Sequence, residues 1–317
     1  MALLDKMPGV GMPVSEVPRA LRELWKTDEG ESPTKFRAVQ SNLILHFGLE
    51  ATESEAKVVL DRALDFARRY PSRLICLCPF REVDEQLMRG KLFSQCYLAG
   101  GSKHPVCCEA LMLGYTPDDA EFLEHQISVW LESDLPTYHW FHRVPEERIL
   151  RSYLPFLKMV RRVTYDSSIE GHNFSGIDWP CPRGARDLAD ARLLHVRQSV
   201  GQFLSSYPVE LLLQNLESFT INHTPSLSGE ANELSNWVHS TLIDAGVNGL
   251  ESNVKDTTDG DFRMDWTYSD EKFLSIHLDN NLASGWIQAD FGSGQVDYPL
   301  HLKKISPQLT LAEALFF

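Results

Sequence analysis

The residues best suited to chemistry are two histidines, six cysteines and a few paired arginines. His139 and His142 fall near the end of a predicted strand, where α/β sheets place their ligands. Positions three apart on a strand point to opposite faces, so the pair meets at a metal only if the strand bends after Trp140. Otherwise they are packing residues or a polar strand end. Cys76, Cys78, Cys96, Cys107, Cys108 and Cys181 form no CxxC and no paired Cys/His spacing of a zinc site. They read as small buried hydrophobes in a reducing cytoplasm. Adjacent Cys107 and Cys108 point to opposite faces of a strand, which strains a bridge between them. The pairs Arg68–Arg69 and Arg161–Arg162 could hold a phosphate or a partner's carboxylate bidentately, or stand solvated at element ends.

Several chemistries lack their signature. There is no GxGxxG after the first predicted strand of the alternating region. The turn after Phe47 reads Gly48-Leu49-Glu50-Ala51, and Glu50 and Glu53 beside the following helix start would repel a pyrophosphate. No GxxxxGK[ST], HExxH or GxSxG occurs, and Gly292-Ser293-Gly294 lies between two predicted strands as hairpin chemistry.

These residues must be positioned by an alternation that begins after a polar stretch, Thr27 to Thr34. Before that stretch, Ser15, Glu16 and Pro18 start a helix with Leu21, Leu24 and Trp25 on one face. Asn42 to Phe47 predicts a buried strand. Thr52 and Glu55 form a capping box for a helix whose Ala56, Val59, Leu60, Ala63, Leu64 and Ala67 make one apolar stripe. Arg73 to Cys78 is the next strand, so a βαβ unit is the default. Leu92 to Leu98 and Val106 to Leu113 flank Gly100-Gly101 as a hairpin. A helix from Thr116 to about Leu131 follows, then a strand over Thr137 to Phe141. A helix begins at Pro145 and Glu146, and a last strand covers Val160 to Tyr165. Asp166 to Gly184, rich in Gly, Pro, Ser and Asn, reads as a connection. Helices over Asp187 to Ser206 and Val209 to Leu216, a strand over Phe219 to Asn222 and a helix from Ser228 stopped by Gly246 come next. Four extended runs separated by short turns then form an antiparallel meander from Phe262 to Leu302.

The expected architecture is an α/β domain with a mixed, mainly parallel sheet, followed by an α+β domain with an antiparallel meander. The expected boundaries are 1–35 for an appendage, 36–166 for the α/β domain, 167–186 for a linker and 187–317 for the α+β domain.

The chain has 317 residues, enough for two cores. With 30 Lys plus Arg against 44 Asp plus Glu, its net charge is −14, a balance that disfavours nucleic acid and anionic membranes as partners. No stretch approaches the roughly 18 apolar residues of a membrane span, and Met1 to Val14 lacks the apolar block of a secretory signal.

Four segments, in order, give the chain its likeness: Ala67-Arg68-Arg69-Tyr70-Pro71-Ser72-Arg73-Leu74-Ile75; Asp134-Leu135-Pro136-Thr137-Tyr138-His139-Trp140; Arg162-Val163-Thr164-Tyr165-Asp166-Ser167; and Asp187-Leu188-Ala189 with Arg192-Leu193 and Arg197. Together they resemble the glucose-6-phosphate dehydrogenase assembly protein family, OpcA. The fourth departs from the family pattern, which has tryptophan where this chain has Asp190 and Val196. The resemblance implies a non-enzymatic factor without a cofactor, binding glucose-6-phosphate dehydrogenase and favouring its active oligomer. Trp140, Arg162, Asp166, Asp187, Arg192 and Arg197 are then the candidate interface or ligand surface. The competing readings are a sensor holding a phosphorylated metabolite near Arg162 and Asp166, and a hydrolase or metalloenzyme using His139, His142 or Asp166.

Overall fold

Eight strands form the first sheet of the computed structural model: β1 (Val10–Pro13), β2 (Ser41–Phe47), β3 (Ser72–Pro79), β4 (Met88–Leu98), β5 (Pro105–Tyr115), β6 (Thr137–His142), β7 (Arg162–Tyr165) and β8 (Ala185–Asp187). The structure describes residues 2–24, 39–81, 88–98, 105–170, 174–247, 249–257, 260 and 262–317. The strand order is β1-β4-β5-β3-β2-β6-β7-β8. β5, β3, β2, β6 and β7 run parallel, while β4 pairs antiparallel with β5 and with β1. This is the mixed, mainly parallel sheet that the sequence leads one to expect.

Every residue of β2, β3 and β6 is buried, as in strands covered on both faces. The helix Glu53–Arg69 buries the expected stripe together with Phe66. Its capping box forms: Thr52 Oγ1 accepts from the Glu55 amide and a Glu55 carboxylate oxygen accepts from the Thr52 amide.

Six strands form the second sheet: β9 (Leu216–His223), β10 (Glu251–Asp256), β11 (Phe262–Tyr268), β12 (Phe273–Leu278), β13 (Ser284–Asp290) and β14 (Val296–His301), in the order β10-β9-β11-β12-β13-β14. β11 to β14 are the expected meander. β10 is an addition, parallel to β9 and reached through the helix Ser228–Asp244. Its sequence, Glu-Ser-Asn-Val-Lys-Asp, is too polar to announce a strand, and its side chains are exposed or half-buried at the sheet edge. Ala231, Leu234, Val238 and Leu242 of the helix join Phe219, Ile221, Met264, Ile276 and Ile287 in one core.

The chain divides into two compact units, Met1–Asp166 with His172–Arg186 and Pro307–Phe317, and Ser167–Gly171 with Asp187–Ser306. Two features differ from the expected boundaries. The region read as a linker contributes β8 to the first sheet, because Thr164 Oγ1 donates to the Arg186 carbonyl and the Val163 amide to Gly184. The end of the chain belongs to the first unit. The helix Pro307–Phe316 buries Leu311, Ala312, Ala314 and Leu315, and sets Phe316 against Phe66, Tyr70 and Tyr138.

Smaller corrections concern helices. The region after Thr116 is 3₁₀ over Pro117–Phe122 and α-helical only over Leu123–Ser128. The region after Asp187 breaks at Leu193 into Leu188–Arg192 and Leu194–Leu204. Trp25, the polar stretch and the Gly100-Gly101 turn lie outside the described residues. Cys76, Cys78 and Cys181 are buried thiols, whereas Cys96 is disulfide-bonded. The reading of the cysteines as reduced hydrophobes therefore does not extend to Cys96.

Candidate functional site

Among the parallel strands the chain moves from β2 to β3 and β5 on one side, then crosses to β6 and β7 on the other. The reversal puts the fold's default ligand crevice at the C-terminal ends of β2 and β6. Here the chain's own groups fill that place. The Gly48 amide donates to the His142 carbonyl at 2.7 Å. A Cβ on Gly48 would overlap the carbonyl of Arg143, whose own φ is 59°, so the two turns meet backbone to backbone. The N-terminus of the helix Glu53–Arg69 is closed by its capping box, and Arg143 Nη2 donates to Glu55 Oε1 at 2.7 Å. The Thr52 amide and the Arg143 guanidinium hold the Glu55 carboxyl down to about 2.

A hollow of about 480 Å³ lies beside this closure. Its cations already have partners: Lys6 pairs with Glu53 at 3.3 Å, Arg89 with Asp5 at 3.2 Å, and Arg81 with Glu50. A phosphate entering there would have to break ion pairs and face three carboxylates.

The histidines do not converge on a metal. His139 Nε2 lies 3.2 Å from His46 Nδ1, His46 Nε2 lies 2.7 Å from the Tyr115 hydroxyl, and that hydroxyl lies 2.7 Å from Tyr153. Burial pushes His46 down to about 3, holds His139 well below its ordinary range and raises both tyrosines, so the chain is neutral. His142 is packed separately against Phe47, without the bend that a shared metal required. No cluster of three His, Cys, Asp or Glu able to hold a metal exists among the described residues. Burial pushes the Cys76 thiol up to about 12 and raises Cys78 as well, which makes both poor nucleophiles at neutral pH.

The N-terminal ends of the same strands are built differently. Arg73, at the start of β3, is buried and donates to Glu109 and Glu132, both at 2.5 Å, and to the Trp130 carbonyl at 2.7 Å. Asn42, fully buried at the start of β2, donates to the Glu132 carbonyl at 3.0 Å and accepts from the Glu132 amide at 3.0 Å. It also reaches the Leu135 carbonyl and Thr137 Oγ1. The segment entering β6 is thus fixed from below by a buried charge and a buried amide. An open groove of about 590 Å³ runs along it, lined by residues that include Asp134, Leu135, Lys158, Met159, Arg161 and Arg183.

Of the residues singled out from sequence, Trp140 and Arg162 are buried in the first unit. Arg162 donates to the carbonyls of Ala314 at 3.2 Å and Phe317 at 3.4 Å. Burial, then the nearby charges of Arg186, Arg183 and Arg161, lower its affinity for its proton. Asp166 is buried where β7 ends. In the second unit, Asp187 caps the helix Leu188–Arg192 through the Ala189 amide and accepts from the Ser167 amide. Arg192 binds Glu230 at 2.5 Å and Ser168 at 2.9 Å, and Arg197 pairs with Asp190. Val196 is a core residue. Trp140, Arg162, Asp166 and Asp187 are thus buried, and Arg192 and Arg197 are partly buried in ion pairs. Sequence reasoning missed Asn42 and Glu132. A polar residue opening an otherwise apolar buried strand was the available signal for Asn42.

Comparison with known proteins finds a family model similar to part of the chain. Residues 63–177 match the model described as the glucose-6-phosphate dehydrogenase subunit N-terminal domain, of the OpcA assembly family. The match contains three of the four motif segments and bears out the resemblance drawn from them. No curated protein matches the chain. Among solved structures, an aldose-aldose oxidoreductase from Caulobacter crescentus complexed with glycerol aligns over 87% of each chain at 8% identity, with a TM-score of 0.41, too low to carry an argument. No described helix is long and apolar enough to cross a membrane.

Proposed function

We propose that this chain is a non-catalytic subunit that binds glucose-6-phosphate dehydrogenase and favours its active oligomer, in the cytoplasm and away from nucleic acid and membranes. The family match over residues 63–177 carries the reading. It is supported by a ligand crevice filled with the chain's own backbone and by buried histidines without catalytic convergence. Such a factor needs no chemistry of its own. It must bind the active arrangement of its client more tightly than the inactive one. A difference of about 1.4 kcal/mol shifts that balance tenfold.

The test is to mix the purified chain with the dehydrogenase of its own organism, then measure mass by light scattering and turnover with and without the chain. Co-elution, a larger oligomer and higher turnover are expected. No association and no change in turnover would overturn the proposal. The alternative of a metabolite sensor at Arg162 and Asp166 has weaker support, because the Arg162 guanidinium is held by helix-end carbonyls. Stabilisation of the isolated chain by sugar phosphates or nucleotides in a thermal-shift assay would favour that alternative.

A further inference from the structure

We propose that the groove at the N-terminal ends of β6 and β7 docks an acidic segment of a partner protein, with carboxylates meeting Lys158, Arg161 and Arg183 and an apolar side chain meeting Met159. Only the identity of that partner rests on the function proposed above.

Three observations converge on this surface. The first is charge without local compensation. Lys158 and Arg161 are exposed, and neither has a carboxylate partner among the described residues. Among the described residues the Arg183 side chain donates to the Phe316 carbonyl, at 3.0 Å, and has no carboxylate partner. The one carboxylate lining the groove, Asp134, faces the nearby hydroxyl of Ser133 at 3.4 Å. On a chain of net charge −14 this is an unneutralised basic strip, and it orients an acidic partner by complementarity.

The second observation is apolar surface between the cations. Met159 is 37% exposed, and half-buried Leu135 and Pro136 line the same groove. A small inorganic anion has no use for that surface, whereas an acidic peptide with an aliphatic side chain does. The cations also sit on separate connections, before β7 and before β8. Arg162, next to Arg161 in sequence, is buried and its guanidinium is engaged. The arrangement suits several spaced carboxylates.

The third observation is rigidity. The wall from Glu132 to Thr137 is held by Asn42 and Arg73, both buried, so little ordering is left for the moment of binding.

The experiment uses the full chain and two partners in parallel. One is a fluorescein-labelled peptide of alternating Glu and Leu, with a Gln-for-Glu peptide as control, read by anisotropy. The other is the dehydrogenase. The wild-type chain should bind the Glu peptide at least tenfold more tightly than the Gln peptide, and added salt should weaken it. Arg161→Glu and Lys158→Glu should each weaken binding about tenfold, with Arg161→Gln intermediate, while Asp134→Lys should strengthen it. Unchanged thermal melting confirms that the variants fold. If the dehydrogenase binds while the Glu peptide binds no more tightly than the Gln peptide, the groove inference falls and the proposed function stands. If the dehydrogenase does not bind while the Glu peptide does so in an Arg161-dependent way, the proposed function falls and the groove stands. Binding of neither overturns both. Inorganic phosphate that stabilises the wild type but not Arg161→Glu identifies a small-anion site and overturns docking.

Discussion

The two ends of the parallel strands in the first unit have opposite construction. At the C-terminal ends of β2 and β6, where this architecture ordinarily receives a ligand, backbone meets backbone at Gly48 and Arg143, and each cation of the adjoining hollow is paired. At the N-terminal ends, an open groove carries cations that have no carboxylate partner among the described residues, above a buried, fully engaged support. Three segments that carry the family likeness reach this second end through Arg73, Asp134 to Pro136 and Arg162. The contrast teaches that a sheet can keep its strand order while the end that ordinarily receives a ligand is closed from within and the opposite end is left open.

The comparison breaks most forcefully at Arg73. Replacing it with methionine leaves Glu109 as a buried charge without its cation, and loss of one member of such a pair costs about 3–5 kcal/mol. Urea denaturation of Arg73→Met should show that loss. Adding Glu109→Leu should restore most of it, because the deeply buried carboxylate is gone and Glu132, 36% exposed, can be solvated. Glu132 also loses its anchor, so binding at the groove should weaken in both variants. Wild-type stability in Arg73→Met would mean that the groove wall is not supported as described.

At the closed end, Gly48→Ala forces a methyl group against the Arg143 carbonyl, and overpacking of this kind costs about 1–3 kcal/mol. The melting temperature should fall while affinity for the dehydrogenase stays within twofold. A tenfold loss of affinity would place the closed end in the interface and erase the distinction between the two ends.

Local pattern made much of this molecule legible in advance. The capping box at Thr52, the stripe of the following helix, the parallel core strands and the meander each follow from spacing that only one element satisfies. The closed crevice was half legible: the glycine-poor turn after Phe47 spoke against a nucleotide, but its contact with Arg143 joins residues nearly a hundred positions apart. The groove was less legible still. Arg161 and Arg162 look alike in sequence, yet one is exposed and the other is buried beneath the helix end, because strand alternation and a distant C-terminal helix decide between them. Arg192 and Arg197 suffered the same ambiguity, since no local signal reveals Glu230 and Asp190 as their partners.

Acid should reveal the closed end more gently. Burial holds His142 at about 4, against 6.5 in an unfolded chain, and neither ring nitrogen has a hydrogen-bond partner among the described residues. Between those values the unfolded chain binds more protons, so stability is complete above pH 6.5 and declines as pH falls towards 4. At pH 5 the loss from this residue is about 2 kcal/mol. His46 and His139 act in the same direction. Urea midpoints at pH 7 and pH 5 should separate less in His142→Gln than in the wild type. Equal separation would show that His142 is not the buried neutral base described.

The finest contrast sets one residue from each end side by side. Thr52→Ala removes the hydroxyl that accepts from the Glu55 amide, and loss of a cap costs about 1 kcal/mol. The Glu55 carboxylate keeps its bonds to the Thr52 amide and to Arg143, so the closure holds and binding should not change. Lys158→Ala removes an exposed side chain and should leave stability within about 0.5 kcal/mol, while weakening association with an acidic partner. Denaturation and binding measured on the two variants should therefore cross over, each variant altered in the property that the other retains. If both move together in both assays, stability and recognition are not divided between the two edges of this sheet.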